Sequence, residues 1–426
     1  DSSIEVRQAE DGRWLLQGQY VDELFGGRDE TDKLPPAMQV IAEDIDIVLL
    51  RPNEQAPLNF ILPRAVVGVD SKRIAVDGTL RLPAVLGRQL RLLATQVVTS
   101  PSPDRHWDLR FEADDVELAG WSALQPDAAR QFRSGSGEVD LAIEYANGGV
   151  RNASANVSLV DVALGDGEMF DIDGRFDVNL AADGWLAAAE QLRLHTADGT
   201  WPDSSLRVEA STEDDGKIVM VDVRASYLNV GDVPLFAAWL PQEQREQFAD
   251  FDPSGVITDL VATISDIDTE QPRFDIAAEL ADIGFAASGK RPGVRGFTGL
   301  LRANRLGGRL EMQTRGASIE VPEYLSGLID IDYADGTVIW RSTDERTTVL
   351  SDSIRVGNNV FDSQFNVQLN LQKGGTAPVI DLASEWSVTD VSALTAYIPQ
   401  KVIKPKLYDW FQSAMVAGSI PRGRTT

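Results

Sequence analysis

The sequence predicts a mostly β protein, an antiparallel meander of about 20 strands broken by a few short helical inserts. Three observations predict it. First, apolar and polar residues alternate through most of the chain, most clearly over Phe365-Asn-Val-Gln-Leu-Asn-Leu-Gln372. A period of two sends one set of side chains to each sheet face, leaving one face apolar and the other wet. Second, turn signals separate these runs: Asp77-Gly78, Asn147-Gly148-Gly149, Asp173-Gly174, Asp183-Gly184, Asp198-Gly199, Gly307-Gly308, Asp335-Gly336 and Lys373-Gly374-Gly375. Asp-Gly and Asn-Gly supply the positive φ of tight hairpins. Third, a motif returns. Asp232-Val233 and Trp239-Leu240-Pro241 are matched 158 positions later, without a gap, by Asp390-Val391 and Tyr397-Ile398-Pro399. A looser copy lies upstream, where Asp115-Val116 precede Trp121 and Leu124-Gln125-Pro126. Each copy punctuates a repetitive β structure.

In order, residues 1–114 form an N-terminal β block. Its strands are expected at Ile4–Val6, Trp14–Leu16, Ile45–Leu50, Ile74–Leu82, Leu90–Val98 and Leu109–Glu112, with a short helix at Asp22–Phe25. Residues 115–231 form a first β repeat. It opens on an insert over 115–134, whose helix holds Asp127-Ala-Ala-Arg-Gln-Phe132. Residues 232–389 form a second repeat, opening on an insert over 232–250 with the helix-forming run Gln242-Glu-Gln-Arg-Glu-Gln-Phe248. Residues 390–426 hold a third insert and the start of a further repeat. There Leu407, Trp410, Phe411 and Ala414 fall at i, i+3, i+4 and i+7, on one helix face.

Charge and composition exclude several functions. The formal charge of -27 repels phosphate backbones and argues against nucleic-acid binding and flat docking on an anionic bilayer. The absence of cysteine removes disulfides, thiolate metal sites and cysteine nucleophiles. No apolar run is long enough for a transmembrane helix. The chain opens on Asp1 without a signal peptide and ends just after an insert motif, so it reads as a segment cut from a longer protein.

Catalysis finds little support, and neither a cofactor nor a metal is expected. His106 and His195 lie in or beside strand-like runs with no acidic or hydroxyl partner at a recognisable spacing, and read as surface histidines. No serine elbow, phosphate loop or paired-histidine motif occurs. Asp166-Gly-Glu-Met-Phe-Asp171-Ile-Asp173 has an acidic density like a calcium loop but lacks the ligand spacing, and reads as a solvated hairpin. Asp44-Ile-Asp46 and Asp266-Ile-Asp268 read as outward strand positions. Lys290, Arg291, Arg295, Arg302, Arg305 and Arg309 form a basic stretch, read as an outer face pairing with acids on adjacent strands rather than as a headgroup site. What remains is the apolar sheet face, which must be hidden. Two sandwiched sheets, closure into barrels, or a half-pipe filled with something apolar would each hide it, and periodicity does not choose among them.

The stretch Arg291-Pro-Gly-Val-Arg-Gly-Phe-Thr-Gly299, then Gly308-Arg-Leu-Glu-Met312, then Ile319-Glu-Val-Pro-Glu-Tyr324, resembles the middle region of YhdP-type proteins of the AsmA-like family. Trp239-Leu240-Pro241, Tyr397-Ile398-Pro399 and the run Leu407-Tyr-Asp-Trp-Phe411 to Ala417-Gly418 resemble the family's Leu-Pro and Trp-helix-Gly elements. The resemblance covers about residues 110–426. It implies an elongated, repeating β-groove, a curled U-shaped sheet with an apolar interior. It also implies a periplasmic segment of a longer protein anchored in the inner membrane, meeting the outer membrane or envelope proteins at its far end. The implied role, as in bridge-like lipid transfer proteins, is to carry phospholipid acyl chains between the two membranes without catalysis. The expected groove lining is Val139, Leu141, Ile143, Phe176, Val178, Leu180, Leu206, Val208, Phe274, Ile276, Phe365, Val367, Leu369 and Leu371. The competing expectation is a structural or protein-binding β-sandwich or solenoid with a self-filled core.

Overall fold

The computed structural model describes residues 2–426 apart from 10–12, 21–36, 52–56, 71–72, 98–105, 125–131, 147–148, 214, 240–241, 243–244, 246–249, 268, 270–271, 290, 326 and 373–378. Strand accounts for 71% of it and helix for 9%. The chain divides into two compact units, Asp1–Asp203 and Ser204–Thr426.

The N-terminal unit holds β1 (Ser2–Gln8), β2 (Trp14–Leu16), β3 (Gln19–Tyr20), β4 (Ala37–Leu50), β5 (Leu58–Asp70), β6 (Arg73–Arg81), β7 (Gln89–Val97), β8 (His106–Glu117), β9 (Phe132–Ala146), β10 (Gly149–Leu164), β11 (Phe170–Ala181), β12 (Gly184–Thr196) and β13 (Gly199–Thr200). From β4 to β13 each strand pairs antiparallel with the next. β1 joins β4 in parallel and carries the small β2–β3 hairpin. Helix α1 (Leu118–Ala123) lies between β8 and β9.

The C-terminal unit holds β14 (Ser204–Thr212), β15 (Ile218–Asn229), β16 (Ser254–Ser265), β17 (Arg273–Phe285), β18 (Gly293–Asn304), β19 (Gly307–Glu320), β20 (Leu328–Ser342), β21 (Arg346–Gly357), β22 (Phe361–Gln372), β23 (Val379–Val388) and β24 (Ile420–Thr425). It is an unbroken antiparallel meander. A 3-10 helix (Val230–Trp239) follows β15, and a second (Ala393–Tyr397) and α2 (Pro405–Ala414) follow β23. Among the described strands, the outermost ones of each meander do not pair with each other, so neither closes into a barrel.

Because the strands alternate in direction, the connections segregate to two margins. One margin carries tight hairpins such as those at 182–183, 305–306 and 343–345. The other carries the longer connections: 82–88, α1 and 165–169 in the N-terminal unit, and the 3-10 helices, 286–292, 321–327 and α2 in the C-terminal unit.

A line of bulges runs across the strands toward the insert margin. Asp44, Asp115, Asp161 and Gln191 in the N-terminal unit, and Asp259, Asp282 and Ser353 in the C-terminal unit, have φ between 49° and 53° within strands. Register slips accompany them, as between Ala113 and Val116, Leu159 and Val162, Thr258 and Val261, and Leu280 and Ile283. An extra residue at positive φ bends the strand and increases its twist, so these bulges crease the sheet. Asp tolerates that φ better than bulkier side chains.

Three expected turns belong to this system instead. Gly78, Gly174 and Gly336 lie inside β6, β11 and β20. A Cβ on Gly174 would come within 3.4 Å of Leu192 Cα in the bulged neighbour, and one on Gly336 within 2.8 Å of Ile354 Cα. Glycine there makes room for the facing bulge. Asp183-Gly184, Asp198-Gly199 and Gly307-Gly308 do sit at turns, whereas Lys373-Gly374-Gly375 lies outside the described residues.

The inserts also differ from expectation. Asp115 and Val116 are still strand, the helix is Leu118–Ala123, and Phe132 already starts β9. Residues 127–131, most of 242–248 and the expected helix at 22–25 lie outside the described residues.

Candidate functional site

Register fixes which residues share a face. In the N-terminal unit one row reads Val40, Val67, Val76, Ala94, Leu109, Ile143, Ala153, Val178 and Ala187, each the cross-strand partner of the next over nine strands. In the C-terminal unit a row of ten reads Val208, Val223, Ala262, Ile276, Ala303, Gly308, Trp340, Val349, Leu369 and Ile380. At ~4.8 Å between strands these rows span roughly 40 Å each, with neither a charge nor a hydrogen-bonding side chain other than the Trp340 indole.

The structure places all the expected lining residues on these faces. Leu141 shares a row with Ala155 and Phe176, Val139 pairs with Val157, and Leu180 lies one strand pitch beyond Val178. Leu206 and Val208 pair with Ala225 and Val223. Phe274 flanks Ile276 in β17, and Phe365, Val367 and Leu371 flank Leu369 in β22. None of the fourteen is fully buried; Leu180, Phe274 and Leu371 are 40%, 37% and 40% exposed. Valines and leucines inside a sandwich core would be shielded by a second layer. Among the described residues the face toward the hairpin margin is only partly covered: Ala94, Gln96 and Ala262 are buried on it, but the fourteen larger side chains are not.

Beyond the crease the same face is packed. Val116, Val162, Leu164, Phe170, Leu192 and Leu194 are buried in the N-terminal unit, Leu194 to 1%. Inserts seal them. The Trp121 indole N–H donates to Leu86 O (2.8 Å), and the Ser122 hydroxyl accepts from Phe132 N (2.8 Å). Leu86 is itself fully buried, and Trp201 folds back so that its backbone N–H donates to Leu194 O. In the C-terminal unit Leu235, Leu325, Ile331, Ile354 and Val388 are buried. Phe361 meets the edge of Tyr397 at 5.4 Å, and Asn358 donates to the Tyr397 hydroxyl.

The opposite face is charged and solvated. Arg91 bridges Asp77 and Glu112, Arg110 meets Asp140 at 2.6 Å, and Arg315 meets Asp335 at 2.7 Å. Within the basic stretch, Arg291, Arg305 and Arg309 reach Asp250, Asp344 and Glu311. His106 and His195 differ from expectation in having partners: His106 lies 3.2 Å from Asp108 and 3.6 Å from Glu144, and His195 Nδ1 lies 2.7 Å from Thr200 Oγ1. Strand pairing brings Glu144 and Thr200 to the two rings, whereas Asp108 lies two residues along the same strand. A depression of about 600 Å³ on this face is lined by Leu93, Ala142 and Leu186 as well as by Asp108, Arg110, Glu144 and Asp177. Of the acidic run, Asp171 accepts from Asp161 N and Asp173 from Ser158 Oγ. Asp44 and Asp266 both sit at positive φ, the first within the crease and the second just past the end of β16. No group of side chains able to hold a metal occurs among the described residues.

Where β24 pairs with β23, Glu385 accepts from Arg424 and Arg422, which hold its carboxyl below the usual glutamate range. The bond to Arg193 likewise lowers Asp203. The Tyr333 hydroxyl donates to Asp362, and that bond raises the phenol.

An open, creased antiparallel meander with an uncharged apolar face on one side and ion pairs on the other defines the class of curled β-groove proteins. The chain belongs to the YhdP protein family, whose model matches residues 21–426. No curated protein and no solved structure matches it. Membership supports a lipid-transport-type role at the level of the family.

Proposed function

We propose that this chain is a segment of a bridge that carries phospholipid, with acyl chains lying on the apolar face and headgroups in water. The observation that carries the reading is that fourteen inward residues are uncharged yet none is fully buried. Each methylene moved from water onto such a face gains ~0.8 kcal/mol, so chains are held without a specific pocket and slide along the rows. No acid, base or nucleophile is needed. The self-filled sandwich fits the insert-side half of the strands but leaves the hairpin-side half only partly covered. The reading places the segment in the periplasm of a two-membrane envelope, within a longer protein anchored in the inner membrane and meeting the outer membrane or its proteins at the far end.

The test is native mass spectrometry of the purified chain together with crosslinking to a photoactivatable phospholipid. Co-purified phospholipid is expected, and Leu369→Asp should abolish crosslinking in β22. Lipid-free protein, or crosslinking unaffected by the substitution, would sink the proposal.

A further inference from the structure

Five of the nine tryptophans divide between the two margins of the sheet; Trp14, Trp201 and Trp410 lie in β2, in a connection and on α2. Trp121 and Trp386 sit at the insert margin, and their indole N–H groups donate to Leu86 O (2.8 Å) and Thr425 Oγ1 (3.1 Å). At the hairpin margin the apolar face carries Trp107, second in β8, and Tyr145, next to last in β9, paired with each other. It also carries Trp185, second in β12, and in the other unit Trp340, third from the end of β20. Among the described residues none of these four donors has a hydrogen-bond acceptor, and none is fully buried. Trp340 is held in place: its ring lies over Gly308, where any Cβ would collide with it.

An aromatic side chain with an apolar body and an unused polar tip suits a boundary between hydrocarbon and water. In a diacyl lipid that boundary is the glycerol ester level, which presents carbonyl acceptors and no donors. Resting on the acyl-chain reading above, we propose that phospholipid lies in each groove with its ester carbonyls at the hairpin margin. There they accept from Trp107, Tyr145, Trp185 and Trp340, and the chains run toward the crease. The donors read the ester linkage; with no charge on the rows, the headgroup is not read. The ligand class is therefore diacyl glycerophospholipid irrespective of headgroup.

Two spin-labelled phosphatidylcholines, one labelled near the ester end of a chain and one near its methyl end, test this by quenching tryptophan fluorescence. Stronger quenching by the ester-end label is expected, and Trp107→Phe, Trp185→Phe and Trp340→Phe combined should remove the excess. In competition, a diester phosphatidylethanolamine should outbind its diether analogue by roughly five-fold, the effect of about one net hydrogen bond. The combined variant should lose most of that preference. Equal or stronger quenching by the methyl-end label, or no ester preference in the unaltered protein, would overturn the orientation while leaving lipid binding intact. Failure of either lipid to bind would overturn the acyl-chain reading as well.

Discussion

Phe170 and Val178 lie on one strand and one face, yet Phe170 is 4% exposed while Val178 is only half-buried and its neighbour Leu180 is 40% exposed. Both ends of β11 carry the same alternation. What differs is the margin: inserts cover the first end, hairpins leave the second only partly covered. The comparison teaches that alternation specifies a face, and connection length decides whether that face becomes core or stays partly open.

The largest effect should come from the packed half. Leu194→Ala should cost ~2–5 kcal/mol in urea unfolding, since the site is sealed and collapses poorly. A cost matching that of Leu369→Ala would erase the distinction. Next is the crease: Gly255 has φ 97°, and a Cβ there would lie 2.5 Å from Asp282 O. Gly255→Ala should therefore cost more than ~1 kcal/mol, whereas Gly149→Ala, which meets nothing within 4 Å, should be near neutral. Trp121→Phe, which removes one of the two donors to Leu86 O and leaves the Glu117 N–H, should cost at most about 1 kcal/mol by the same measurement. Leu369→Ala in the open half should cost less than Leu194→Ala, because Leu369 is only half-buried whereas Leu194 is sealed, and should show mainly in lipid retention.

The smallest effect is electrostatic. Glu385 has a lowered folded pKa, so the stability it adds to the β23–β24 pairing is present above its unfolded pKa. It is lost as pH falls through the folded value. Hydrogen exchange of β24 should rise in acid, more weakly at high salt because the group is exposed, and Glu385→Gln should flatten the dependence.

Much of this was legible in residue pattern. The strand at Phe365–Gln372 and the facing of Val139, Leu141 and Ile143 follow from period two. The crease did not show, because Asp-Gly at 173–174 and 335–336 carries the same residues as a hairpin and only the partner strand tells them apart. Asp115-Val116 looked like the start of an insert because a bulge interrupts alternation as a turn does. One partner of His106 does not show in the linear sequence, because Glu144 reaches it through strand pairing 38 positions away, whereas Asp108 is only two positions on. The packed margin was hidden for a different reason: Leu86 and Trp201 are core residues in connections, where no period marks them.

The segregation of connections to two margins limits how such a chain can grow. Adding one strand would swap the margins for everything downstream, placing inserts where hairpins had been. Adding a hairpin preserves both. The 3-10 helices after β15 and β23 are separated by eight strands, an even number, and at ~4.8 Å per strand that interval is roughly 38 Å of path. Length can thus be set in whole hairpins, about 10 Å at a time, so a chain built this way can lengthen by duplication while its two margins keep their character.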